Sequence, residues 1–242
     1  MFKFKKPKHS IEMAIIIGVF FMLIGWLVQS RLKSKFRKYS ETHLTRDLTG
    51  AEVARLMLAD NGIRDVQVTS VEGQLTDHYN PATKTVNLST EVYHGRNAAA
   101  TAVAAHECGH AVQHAQAYAM LNFRSAMVPV QNISTQVMNA IFWLSILGGG
   151  FLHILPWSTL ILIVIACYGV FALFSLVTLP VEFDASRRAL AWVKTRNIVS
   201  PGEYDMAQDA LKWAAMTYVV AAISSITLLI YFVLQYLGMD RD

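Results

Sequence analysis

From residue 125 to residue 181 the chain carries no Asp, Glu, Lys or Arg. One helical crossing of a bilayer needs only about 20 apolar residues, so a stretch of this length must double back. The natural break is Gly148-Gly149-Gly150 through Pro156, because glycine and proline interrupt a helical run most strongly. The expectation is a helical hairpin, with one helix before the glycines and a second over residues 157–179. Two more apolar runs, residues 13–28 and 213–237, are also long enough to cross. The first is flanked by Lys3, Lys5, Lys6 and Lys8 and by Arg31, Lys33, Lys35, Arg37 and Lys38, while Lys212 and Asp240 bound the last. No small-residue cleavage site follows the first run, where Gln29-Ser30-Arg31-Leu32-Lys33 stands, so it reads as an anchor and not as a removable leader. With 54% hydrophobic and only 16% charged residues, the composition excludes an ordinary soluble globule. The predicted class is a mainly α integral membrane protein with about four transmembrane helices.

The net charge of +4 comes largely from Lys and Arg beside the apolar runs, which favours anionic lipid headgroups over nucleic acid. No nucleic-acid-binding signature is present. Two cysteines, Cys108 and Cys167, are too few for a disulfide framework and read as small apolar fillers. With four crossings, Arg31, Lys33, Lys35, Arg37, Lys38, Arg124, Arg187, Arg188, Lys194, Arg196 and Lys212 share one side, against Lys3, Lys5, Lys6, Lys8 and Arg241 on the other. The richer side is expected to be cytoplasmic.

Residues 31–124 have soluble patterning. Residues 49–59 place apolar side chains at helical spacing and stop at Asn61-Gly62, a helix C-terminal signal. Val66-Gln67-Val68 alternates as a strand does, and residues 77–88 read as a hairpin turning at Asn80-Pro81. A helix over residues 98–116 follows. The predicted organisation is an N-terminal anchor (1–30), a zincin-like α+β part at the membrane surface (31–124), a transmembrane hairpin (125–181), a surface helical segment (182–212) and a last transmembrane helix with its tail (213–242).

The helix over 98–116 contains His106-Glu107-Cys108-Gly109-His110. Residues four apart share a helix face at about 6 Å, so His106 and His110 can present two imidazoles to one Zn2+ ion. Glu107 points about 100° away from His106, where it can reach a water beside the ion without binding the ion itself. Cys108 lies on the far side, in the core. A pair of histidines on an alanine-rich packing helix is the bland alternative, but buried imidazoles on such a face need a partner.

Catalytic zinc takes three protein ligands. His114 lies about 12 Å from His106 along a straight helix and cannot share the ion. The longer motif that adds Gly and His downstream fails, because Gln113 and Gln116 occupy those positions. His153 falls in the hairpin loop on the opposite membrane face. Glu182 remains: it is the first charge after the apolar hairpin, read as opening a helix, and two crossings return it to the side of His110. Candidates to stabilise an oxyanion are His78, Tyr79, Tyr93, His94 and Tyr204.

The run of residues 103–114, together with Thr76-Asp77-His78-Tyr79-Asn80-Pro81, Val92-Tyr93-His94-Gly95-Arg96 and Leu179-Pro180-Val181-Glu182-Phe183-Asp184-Ala185-Ser186, resembles the bacterial YugP-type membrane zinc metallopeptidases over residues 39–237. More remotely the chain is similar to membrane proteases of the HtpX type. In that wider group the ligand Glu is followed four residues later by an Asp that supports a ligand histidine; here Ser186 stands at that position, with Asp184 as the alternative. The resemblance implies a multi-pass protease of the bacterial cell membrane acting on protein or peptide substrates, and two other classes compete with it. An intramembrane protease with its HExxH inside a span conflicts with the polar flanks Arg96-Asn97 and Gln113-His114. A zinc-stabilised scaffold without turnover leaves Glu107 with no use.

Overall fold

The computed structural model describes residues 10–147 and 156–239. The predicted turn at 148–155, His153 within it, the N-terminal lysines and Arg241 lie outside the described residues. The chain is mainly helical: α1 (Ser10–Ser40), α2 (Gly50–Asp60), β1 (Gln67–Val71), β2 (His78–Asn80), β3 (Thr85–Ser89), α3 (Thr90–His94), α4 (Ala98–Ala115), α5 (Ala119–Leu147), α6 (Trp157–Thr195) and α7 (Pro201–Met239). It divides into two compact units, one of residues 1–27, 126–176 and 218–242, the other of residues 28–125 and 177–217.

In the second unit local signals set the elements. Thr49 caps α2, taking the backbone N–H of Glu52 while the Glu52 carboxylate returns to the Thr49 backbone, so two of the four orphan N–H groups at this end are satisfied. Gly62, at φ +70°, ends the same helix, a conformation open to glycine at no steric cost. The strands form one sheet in the order β1-β3-β2. β3 runs parallel to β1 and antiparallel to β2, which makes β2 and β3 the expected hairpin. Strand period two sends Val86 and Leu88 into the core, while Asn87 on the other face bonds Thr69.

The core gathers Leu44, Val53, Met57, Val86, Leu88, Val92, Cys108 and Val193, drawn from the segment between α1 and α2, from α2, the sheet, α3, α4 and α6. The Cys108 thiol donates to Ala54 O, and burial pushes its pKa up, as suits an inert core residue. Asp60 on α2 accepts from Trp192 Nε1 and from the Arg196 guanidinium on α6. Glu203, buried at the start of α7, accepts from Thr45 N, Thr45 Oγ1 and Ser200 N.

α1, α6 and α7 are long and apolar enough to cross a membrane. α5 falls short of them in composition, since Gln131, Asn132, Ser134, Thr135, Gln136 and Asn139 occupy its middle. Within the first unit Tyr168 and Phe232 stack at 5.5 Å between ring centroids.

Two helix starts differ from the sequence reading. Glu182 does not open a helix: α6 runs unbroken from Trp157 to Thr195 with Pro180 inside it. A proline removes one helical hydrogen bond, which a long packed helix tolerates. The change from apolar to charged residues at 181–182 is not a helix end, because α6, about 58 Å long, carries its backbone hydrogen bonding through both an apolar and a charged part. For the same reason α7 begins at Pro201, well before the apolar run at residue 213.

Candidate metal centre

Asn97 caps α4 by accepting from Ala100 N at 2.8 Å, and the alanines that follow keep the helix slim enough for close neighbours on several sides. The tightest approach is at Gly109. A Cβ there would sit 2.6 Å from Ala185 O on α6, so only glycine allows α6 to lie this close to the HECGH turn. That contact delivers Glu182.

Glu182 Oε2 is 3.2 Å from His106 Nε2 and 3.6 Å from His110 Nε2. One donor atom from each of the three residues lies within 4.8 Å of the others. Zinc bonds of about 2.0–2.1 Å at tetrahedral angles put ligand atoms about 3.3 Å apart, so this donor set fits the ion by spacing and by chemistry. His110 and Glu182 are buried. Arg124, near the start of α5, ion-pairs with the other Glu182 oxygen, Oε1, at 3.3 Å. Burial works against a charge on His110, but the hydrogen bond and charge of Glu182, with the charge of Glu107, outweigh it and hold the imidazole above its usual range. Glu107 is itself buried on the same helix.

Around the three donors lies a ring of supporting groups. Ser186 Oγ is 3.1 Å from His106 Nδ1. Gln113 Oε1 is 3.0 Å from His110 Nδ1, and its amide N–H groups donate to Val181 O and to Asp184 Oδ2. Asp184 in turn pairs with Arg187 and Arg188. Ser186 thus contacts His106 directly, whereas Asp184 contacts Gln113, the neighbour of His110. Gln113 and Arg124 were not singled out from sequence as supports. A polar side chain three residues past His110 on an otherwise small-residue face was the available sign of the first; Arg124 had none.

His114 stands apart from the three donors. Its Nδ1 is 2.7 Å from the Tyr79 hydroxyl, which joins β2 to α4, and burial raises the Tyr79 pKa. Of the other oxyanion candidates, His78 is held between Thr76 O and Asn87. Tyr93 accepts from Arg55 and packs edge-on against His94, and Tyr204 lies under the Lys194 ammonium. Asp77, ahead of β2, accepts from Ser89 N and Ser89 Oγ. Burial outweighs those bonds and raises its pKa, with the Glu107 charge adding to the rise.

The chain is 40% identical over 220 residues to "Putative membrane protease YugP" of Bacillus subtilis (strain 168), covering 90% of this chain and 95% of that protein. No solved structure matches. A family profile described as "Putative neutral zinc metallopeptidase" matches residues 14–237. Zinc is the metal of that family, a His-His-Glu group able to hold it is present, and the chain belongs to this family of zinc metallopeptidases.

Proposed function

We propose that the protein is a multi-pass membrane endopeptidase in which His106, His110 and Glu182 hold Zn2+ and Glu107 is the general base. The observation that carries this reading is the convergence of two α4 imidazoles and one α6 carboxylate, with one donor atom from each within 4.8 Å of the others. Zinc bound there supplies Lewis acidity, which lowers the pKa of water and polarises the scissile carbonyl. Glu107, one residue on from His106 and turned about 100° around the helix, takes the proton of the attacking water and returns it to the departing amine. Arg124 holds Glu182 Oε1, so that Oε2 is the oxygen offered to the ion.

In this reading α5 is the fourth crossing beside α1, α6 and α7, and its amides are shielded from lipid by protein or water. The bias of Lys and Arg puts the site on the cytoplasmic side. β2 is an edge strand of the sheet, and α4 packs against it. Such an edge grips an extended chain through its backbone, so the substrates are unfolded or loosely held protein segments near the membrane.

The test is metal analysis and proteolysis on purified protein. Glu107→Gln keeps stoichiometric zinc and loses cleavage. Glu182→Ala loses both, and Asp184→Ala keeps the metal and loses about 10- to 100-fold in activity. Zinc-loaded, active Glu182→Ala ends the ligand assignment, and equal cleavage of one substrate protein in folded and unfolded forms ends the edge-strand reading. For orientation, a cysteine placed at exposed Ser70 on β1 stays unlabelled by an impermeant reagent on intact cells; labelling from outside reverses the topology.

A further inference from the structure

Gln113 is fully buried, at 0% exposure, and it sits one helical turn past His110. A buried primary amide must find partners for two N–H groups and an oxygen. Its nitrogen lies 2.8 Å from Val181 O and 2.9 Å from Asp184 Oδ2. Neither of these atoms can donate: one is a main-chain carbonyl oxygen, and the other belongs to a carboxylate ion-paired with Arg187 and Arg188. Turning the amide over would set its oxygen against both acceptors. The hydrogen-bond network therefore decides which end is nitrogen, and Oε1 must face His110 Nδ1, 3.0 Å away. An amide oxygen only accepts, so Nδ1 carries a hydrogen, and the nitrogen left to bind a metal is Nε2, which lies 3.6 Å from Glu182 Oε2.

We propose that Gln113 is the positioning residue that holds His110 in its Nδ1–H form with Nε2 free for the metal, and that Asp184 acts on the site through Gln113. The proposal rests on His110 being a zinc ligand. A carboxylate or carbonyl usually receives the second N–H of a zinc-bound histidine directly; here an amide relays a carboxylate that stands one residue further off. The two histidines are thus held unequally. Ser186 is a hydroxyl, both donor and acceptor, and it orients His106 without choosing the nitrogen that keeps the hydrogen.

The experiment measures zinc affinity of the full-length protein in detergent by competition with a chromophoric chelator, and the visible spectrum of the cobalt(II) form. Gln113→Leu lowers zinc affinity by about 10- to 100-fold and perturbs the cobalt bands, and Ser186→Ala lowers affinity less. Gln113→Glu sets a new carboxylate against Val181 O and Asp184 Oδ2 and also binds zinc weakly. Asp184→Ala lowers zinc affinity in the parent but no further in the Gln113→Leu background, because its effect runs through Gln113, a non-additivity that simple packing damage does not show. Fully additive losses in the double variant, or a Gln113→Leu protein with parental affinity and cobalt spectrum, overturn the relay. His110→Ala separates the two levels: loss of zinc there alongside parental affinity in Gln113→Leu sinks the relay alone, whereas zinc retained in His110→Ala sinks the ligand set and the relay together.

Discussion

In the unit of residues 28–125 and 177–217, Leu44, Val53, Val86, Leu88 and Val92 are at 0% exposure, whereas in the other unit Ile16, Trp26, Ile133 and Leu234 are 60–65% exposed. Both units are rich in apolar side chains, but the unit of residues 28–125 and 177–217 buries them against itself and the other turns them outward on long helices. The difference follows from the surroundings each is built for. An exposed apolar face of this extent is unfavourable in water and natural in lipid, where the backbone must be satisfied within each helix. The self-buried unit can therefore tolerate polar machinery such as Glu182, Gln113 and Glu203, because its packing holds partners in place for each.

The largest expected effect contrasts the two kinds of apolar residue. Leu44→Ala in the core costs about 2–5 kcal/mol by leaving a cavity, while Ile16→Ala on the outward face of α1 stays within about 0.5 kcal/mol. Thermal denaturation in detergent reads both, and equal losses would erase the distinction between the units.

Glycines sharpen it next. Gly109→Ala forces Ala185 and α6 away from α4 and lowers proteolysis about 100-fold, the scale of a misplacement of about 1 Å at a reacting centre. A Cβ at Gly169, on α6 in the apolar unit, meets nothing within 4 Å, so Gly169→Ala keeps activity and gains up to about 1 kcal/mol of helix propensity. Full activity in Gly109→Ala would falsify the claim that this contact positions Glu182.

The smallest effect is at the surface of the self-buried unit. The backbone N–H and hydroxyl of Thr49 hold the Glu52 carboxyl below its usual range, outweighing the opposing effect of burial. A carboxyl lowered in the folded state contributes stability above its unfolded pKa and loses it as pH falls through its folded value. Glu52→Gln keeps an acceptor for the Thr49 N–H and removes only the charge, so it should cost about 0.5 kcal/mol at neutral pH, with the gap to the parent closing in acid. A gap that persists unchanged at low pH removes the Glu52 charge as its cause.

Much of this was legible in the sequence because it rests on short-range chemistry. The helical spacing of residues 49–59, the stop at Asn61-Gly62, the turn at Asn80-Pro81 between β2 and β3 and the helical spacing of His106 and His110 all involve residues close in sequence. The apolar lengths of α1, α6 and α7 report a solvent preference that each run expresses alone. Helix boundaries were less legible: α6 and α7 continue through changes of polarity, and hydropathy reports surroundings where hydrogen bonding decides helix extent.

What the sequence determined by itself was therefore the membrane class, the pair of imidazoles one helical turn apart and Glu182 as their candidate partner. Tertiary structure alone decided the distances. Glu182 is separated from His106 by 76 positions and reaches it at 3.2 Å because Gly109 leaves room for Ala185 on α6. The supports were likewise decided in space. Ser186 serves His106, Gln113 serves His110 and Arg124 serves Glu182, and in each case the reason is which helices pack together, since a hydrogen bond depends on distance and direction and carries no trace in the spacing of residues along the chain.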